Sequence, residues 1–236
     1  MRIAFLDANT DRSAFAARHP SEVEKFATLL APVAPDLRLE DHCIVDGVFP
    51  EGLAGFDGVM ISGSPASVND PDPWIARLKA LIRQAVGDGV PVFGACFGHQ
   101  AVASALGGSV GPNPQGWVLG RMVSENHAPA PWMTGGAGPM ALHAAHSEQV
   151  LALPKGAQVL GGGVGCTVGQ IALGDRVFST QYHPEITRDF MAELLDELSG
   201  KVAQPVLDAA RAGLDGPEDS RRMARWIVDF FAHARV

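Results

Sequence analysis

Cysteine is scarce. Three residues in 236, Cys43, Cys96 and Cys166, are widely spaced and odd in number. That argues against a disulfide framework and for a reducing, cytoplasmic compartment. No cysteine pair or cysteine–histidine set reads as a zinc site, so no metal is expected. Lysine and arginine total only 18 against 26 acidic residues, for a net charge of −8, and the densest basic pair is Arg221–Arg222. Nucleic acid is therefore not an expected partner, and the acidic balance mainly serves solubility. Mean hydropathy is +0.10, yet no apolar stretch approaches the length of a transmembrane helix, so no membrane partner is expected. The apolar run at the start is too short for a signal peptide and meets Asp7 at once; it reads as a first strand. Linkers, repeats and low-complexity tracts are also lacking. With 47% hydrophobic and 19% charged residues, the chain reads as one α/β domain over 1–236, with 200–236 a C-terminal helical extension.

What is present is an alternation of strand and helix signals. Arg2–Leu6 reads as a strand. Ser21 to Glu24 match a capping box, followed by Phe26, Leu29 and Leu30 on one helical face. Leu37–Val45 alternates like a strand, and Phe56–Ile61 is a strong one. Asp72-Pro73-Trp74 opens a helix carrying Ile75, Leu78, Leu81, Ile82 and Val86. A βαβαβα order predicts a doubly wound, mainly parallel sheet with helices on both faces. The second half is rich in glycine and proline. Its strand candidates, Trp117–Val123, Pro139–Ala145, Ala157–Leu160, Cys166–Leu173 and Val177–Gln181, suit a mixed or antiparallel extension. Helices are expected at Thr187–Leu198 and Pro217–Ala234, and Gly200–Asp215 reads as a further helix or a connector.

The most informative stretch is Val92 to Gln100. A β-branched run, Gly89 to Phe93, precedes Cys96, and an Ala-rich helix signal, Gln100 to Leu106, follows it. Cys96 thus falls on a strand-to-helix turn with Gly94 and Gly98 two residues to either side, a G-x-C-x-G counterpart of the nucleophile elbow. The glycines let two backbone segments pass closely, and the turn presents the sulfur at the carboxyl edge of the sheet. The following helix aims its free N–H groups and positive dipole end at that sulfur, which favours thiolate.

Downstream, a strand ending at Gln181 delivers His183, with Glu185 two residues on and Pro184 between them. A thiol nucleophile needs a base within reach and an acid to orient the base; Cys96, His183 and Glu185 supply these parts. Cleavage of an amide also needs two N–H donors for the tetrahedral anion. The Phe97 amide is one candidate. The turn Ser62-Gly63-Ser64-Pro65 supplies the other, from Ser64 or, less favoured, Gly63.

These segments together resemble the class I, triad-type glutamine amidotransferases. ISGSPASV is similar to the family's S-G-G-P oxyanion loop, GACFGHQ to its G-x-C-x-G-x-Q elbow, HSEQV (146–150) to the H-G-D-x-V of GMP synthetase glutaminases, and TQYHPEIT to the closing Q-F-H-P-E-x-T. The resemblance runs from the first strand to about Leu198. It implies a flavodoxin-like fold, Cys96 as nucleophile, His183 as base and acid, Glu185 as orienter and Gln100 as a glutamine-binding side chain. Backbone at Ser147 and Glu148 would hold the α-carboxylate or amine end. Ser147 and Glu148 stand where the family often has Gly and Asp, and Ser64 replaces the second glycine of the oxyanion loop.

The chemistry implied is hydrolysis of a γ-carboxamide through a thioester, with glutamine or a γ-glutamyl small molecule as substrate and no cofactor. The chain holds no P-loop and no room for a synthetase domain. It therefore reads as a glutaminase with a separate synthetase subunit, as a γ-glutamyl peptide hydrolase without one, or as a non-catalytic module on the same fold. Gly107 to Gly111 also fit G-x-S-x-G but follow a helix and precede Pro112, so the elbow context is missing. Gly161 to Gly165 lack a following helix. His143 and His146, three apart on a strand, would face opposite sides. Cys166 reads as structural, and Gln115 to Trp117 either line the cleft or begin a strand.

Overall fold

The computed structural model describes residues 1–136 and 138–234. In chain order the elements are β1 (Arg2–Asp7), α1 (Glu22–Leu30), β2 (Arg38–Cys43), β3 (Gly58–Ile61), α2 (Pro73–Gly87), β4 (Val92–Ala95), α3 (Phe97–Ala105), β5 (Ser109–Pro112) and β6 (Val118–Asn126). Then come β7 (Met140–His146), β8 (Glu148–Ala152), β9 (Gln158–Gly163), β10 (Cys166–Leu173), β11 (Val177–Thr180), α4 (Arg188–Glu197), α5 (Gln204–Ala212) and α6 (Ser220–His233).

Local chemistry sets the helix starts. Ser21 caps α1 by accepting from the Glu24 amide, while the Glu24 carboxylate accepts from the Ser21 amide at 2.8 Å. Pro73 opens α2 directly after Asp72, where its missing N–H costs nothing. Thr187 caps α4 through the Phe190 amide. α3 begins at Phe97, three residues before the helix signal at Gln100, because Cys96 itself forms its N-terminal boundary.

Nine strands form one sheet in the order β2-β1-β3-β4-β11-β10-β9-β6-β7. β2, β1, β3, β4 and β11 run parallel, and each later neighbour is antiparallel. Alternate residues of the parallel strands enter opposite cores, as a sheet covered on both faces requires. Ile3, Phe5, Met60, Phe93 and Phe178 pack under α1 and α6. Ala4, Leu6, Val59, Ile61 and Val92 pack under α2 and α3. The aromatic stripe of α6 is fully interior: Trp226, Phe230 and Phe231 have no exposed surface. The segment expected as a helical extension therefore supplies one layer of the main core; Arg235 and Val236 lie outside the described residues. A third core joins α4, α5 and Leu119 of β6.

The antiparallel half curls. Its last strand, β7, returns to the end of β11, where the His183 amide donates to the His143 carbonyl at 2.8 Å. β5 and β8 form a separate two-stranded ribbon. The sequence patterns did not anticipate either strand: both are short and half-exposed, and β5 sits among glycines and prolines. No helix of the described residues is long and apolar enough to cross a membrane.

Candidate active site

The parallel strands share one register, with Leu6 opposite Ile61, Ile61 opposite Gly94, and Ala95 opposite Thr180. Their carboxyl ends therefore deliver Asp7, Ser62–Gly63, Cys96 and Gln181–His183 to one sheet edge, the usual ligand edge of doubly wound folds. A cleft of about 1120 Å³ opens there, lined by Cys96, His183, Glu185, Gln100, Gly63, Ser64, Ser147 and Glu148 among others.

Cys96 is the one non-glycine among the described residues with positive φ (φ 49°, ψ −104°). That conformation stores on the order of 1–3 kcal/mol. It persists because its surroundings leave no alternative. The Cys96 amide donates to the Thr180 carbonyl at 2.8 Å, and the Gly98 amide to the Ser62 carbonyl at 3.2 Å. A Cβ on Gly94 would lie 2.5 Å from the Gly98 carbonyl, and one on Gly98 would lie 2.5 Å from the Ile61 carbonyl oxygen. Both glycines of the elbow are thus required by backbone-to-backbone contact. Phe97 is the first residue of α3, so its amide has no carbonyl one turn earlier in the helix to bond.

His183 Nδ1 donates to Glu185 Oε1 at 2.6 Å, and both residues are buried. Burial alone would push the imidazole towards its neutral form. The charges of Cys96 and Glu185 beside it outweigh that and hold its pKa well above the ordinary histidine value. Gly63 sits between ring and thiol: a methyl there would lie 2.9 Å from His183 Cε1 and 3.7 Å from Cys96 Cβ. The Ser64 hydroxyl accepts from the Ala66 amide at 3.1 Å, which folds the turn that begins with Gly63.

Gln100, Ser147 and Glu148 lie together on the opposite wall. The Gln100 amide nitrogen donates to the Glu148 carbonyl at 2.9 Å and to Gln181 Oε1 at 3.1 Å. His146 Nδ1 donates to the same carbonyl at 3.0 Å. The Ser147 carbonyl accepts from the Asn113 amide, and Ser67 donates to Glu148 Oε2 at 2.7 Å. The nitrogen of Gln100 is therefore engaged in bracing the 146–148 segment.

Several residues in and around the cleft had been given no role by the sequence. Gln181 Nε2 lies 3.6 Å from Cys96 Sγ; it stands inside the TQYHPEIT motif, two residues before His183, which was its one available signal. His146 is kept neutral by burial, its pKa down to about 4. Glu22, the first residue of α1, accepts from Lys25 at 2.7 Å, and burial pushes its carboxyl up. Of the two alternatives the sequence left open for Gln115 to Trp117, the structure shows the first: Gly116 and Trp117 line the cleft, and β6 begins only at Val118. His143 turns away and meets Glu218 at 2.8 Å. Gly107 to Gly111 run into β5 rather than an elbow.

A thiol, an imidazole and a carboxylate at a strand-to-helix turn, inside a cleft roomy enough for a small molecule, are the parts of an acyl-transfer centre. Gamma-glutamyl peptidase 5 of Arabidopsis thaliana is 29% identical over 202 residues, covering 81% of this chain and 80% of that protein. A glutamine-hydrolyzing GMP synthase of Aeropyrum pernix is 33% identical over 166 residues, covering 66% of this chain but 29% of that protein. In fold, the chain is similar to the crystal structure of a glutamine amido transferase from Methylobacillus flagellatus, with a TM-score of 0.77, 22% identity and coverage of 99% and 94% of the two chains. The model of the family "Glutamine amidotransferase class-I" matches residues 41–196. Since that span is more than half of the sequence and contains the elbow and the His183–Glu185 pair, the chain belongs to the class I glutamine amidotransferase family of enzymes.

Proposed function

We propose that this enzyme hydrolyses γ-glutamyl amide bonds, with Cys96 as nucleophile, His183 as base and acid, and Glu185 as the carboxylate that orients His183. The observation that carries this reading is the 2.6 Å His183–Glu185 pair held against the Cys96 elbow. The Cys96 thiolate attacks the γ-carbonyl carbon. The anion on its oxygen is met by the Phe97 amide and by an amide of the 62–65 turn, Ser64 or Gly63. The C–N bond breaks as the His183 imidazolium gives its proton to the departing nitrogen. Water then gives a proton back to His183 and attacks the thioester, which releases glutamate and restores the thiolate. Gln100 and the Ser147–Glu148 backbone form the wall that receives the glutamyl end.

Two features favour a free hydrolase over a subunit that passes ammonia to a synthetase. The γ-glutamyl peptidase relatives align over four-fifths of their length, whereas the GMP synthase relatives align over less than a third of theirs. Purified protein is expected to release glutamate from γ-glutamyl dipeptides, and Cys96→Ala to release none. Acid-quenched turnover should leave a γ-glutamyl adduct on the peptide containing Cys96. Turnover that survives Cys96→Ala, or a strict requirement for a second protein, would sink this reading.

A further inference from the structure

The cleft is larger than its glutamyl wall requires. At about 1120 Å³ it matches the upper end of clefts that enclose drug-sized ligands, roughly 300–1000 Å³. Part of its lining follows His183 in the chain, which runs through Glu185 and Ile186 directly into α4. That helix carries one wide apolar face. Met191 and Leu195 have no exposure and fill the core shared with α5. Phe190, Leu194 and Leu198, four residues apart, form the outer edge of that face: they pack against the same core, are only partly covered, and also line the cleft. The apolar face thus runs past the core and into the cleft wall.

This outer edge is held in place. Phe190 packs on Phe15 at 5.4 Å between ring centroids and on His19 at 4.7 Å. Lys25 lies 4.2 Å over its face while ion-paired to Glu22. Lys25 and Glu22 thus neutralise one another, and next to them Ile186, Phe190 and Leu194 give this otherwise polar wall an apolar segment.

We infer that Phe190, Leu194 and Ile186 form a subsite for the leaving group, selecting γ-glutamyl amides whose departing amine carries a large apolar or aromatic group. This rests on the hydrolase reading above: His183 protonates the departing nitrogen and so places the leaving group on its own flank, and only in that reading does the nitrogen carry a substituent to fill the wall. Ammonia would leave this wall empty, and glycine nearly so.

The test uses L-glutamine, γ-L-glutamylglycine and γ-L-glutamyl-L-phenylalanine with the purified enzyme, read as kcat/KM for glutamate release. The phenylalanine substrate should exceed the glycine one by about tenfold or more, the scale on which apolar pockets discriminate. Leu194→Gln and Phe190→Ala should each cut that ratio severalfold; Leu194 is only partly buried, so its variant keeps the test open should Phe190→Ala fail to fold. Equal rates on the two dipeptides, or a preference both variants keep, overturn the subsite and leave γ-glutamyl hydrolysis standing. Cleavage of glutamine alone overturns the subsite and the hydrolase reading together.

Discussion

Gly63→Ala isolates the contact on which the proposed chemistry depends. The new methyl would lie 2.9 Å from His183 Cε1, against a comfortable carbon–carbon separation of about 3.5–4.0 Å. The ring must therefore withdraw by roughly 0.6–1 Å. It cannot do so freely: Nδ1 is held by Glu185 at 2.6 Å and the backbone amide by His143 at 2.8 Å. The imidazole must tilt away from Cys96. A misplacement of about 1 Å costs on the order of 10²-fold in rate, whereas overpacking of this kind costs only about 1–3 kcal/mol of stability. Gly63 does not have a positive φ, so alanine introduces no backbone penalty. Measured by kcat/KM on a γ-glutamyl dipeptide beside a thermal melt, Gly63→Ala should fall about 10²-fold while still melting cooperatively. Gly52→Ala, which meets nothing within 4 Å, serves as the control and should match the parent. A folded Gly63→Ala enzyme with full activity would refute the idea that His183 works from this position.

Three further outcomes follow from the geometry. Cys96→Gly and Cys96→Ala should both be inactive, but the glycine variant should be the more stable by about 1 kcal/mol in urea unfolding, because φ 49° strains every side chain and not glycine; equal stabilities would mean the turn is unstrained. Glu185→Gln should lower kcat by about 10²–10⁴-fold and move the alkaline limb of the pH profile to lower pH, since one of the two charges that hold the His183 pKa up against burial is lost; an unshifted limb would contradict the pairing. Burial lowers His99 to about 3 and His146 to about 4. Both are neutral when folded, so their contribution is complete above the unfolded value near 6.5 and is lost as pH falls below it. At pH 5 the loss is about 2 kcal/mol each, from 1.5 units at 1.36 kcal/mol. His99→Leu should therefore reduce the pH 7-to-5 drop in unfolding free energy by about 2 kcal/mol; an unchanged drop would mean His99 titrates normally in the fold.

What could be read in advance divides along physical lines. The parallel half was legible because each of its strands is buried on both faces and shows as an unbroken apolar run, as in Val92–Phe93. The elbow was legible because Gly94 and Gly98 are demanded by backbone contact, which leaves a fixed spacing around Cys96. Helix starts at Ser21, Pro73 and Thr187 carried their own capping chemistry. The β5–β8 ribbon was not legible: strands of four and five residues with one side in water give no period to detect. Nor was the bracing of Glu148 by Gln100, His146 and Ser67, since it joins three segments far apart in sequence. The wide apolar face of α4 was present in the letters, but finding that Leu194 lines a cleft as well as edging a core needs the third dimension.

The hydrogen bond between the His183 amide and the His143 carbonyl makes the seat of the proposed base the joint product of both halves of the sheet. His143 lies on β7, at the far end of the strand order from the parallel edge, whereas the backbone of Cys96 is fixed by its bond to Thr180 at the end of β11. Thiol and imidazole therefore answer to different parts of the molecule, and a change confined to the β6–β7 hairpin reaches one without touching the other.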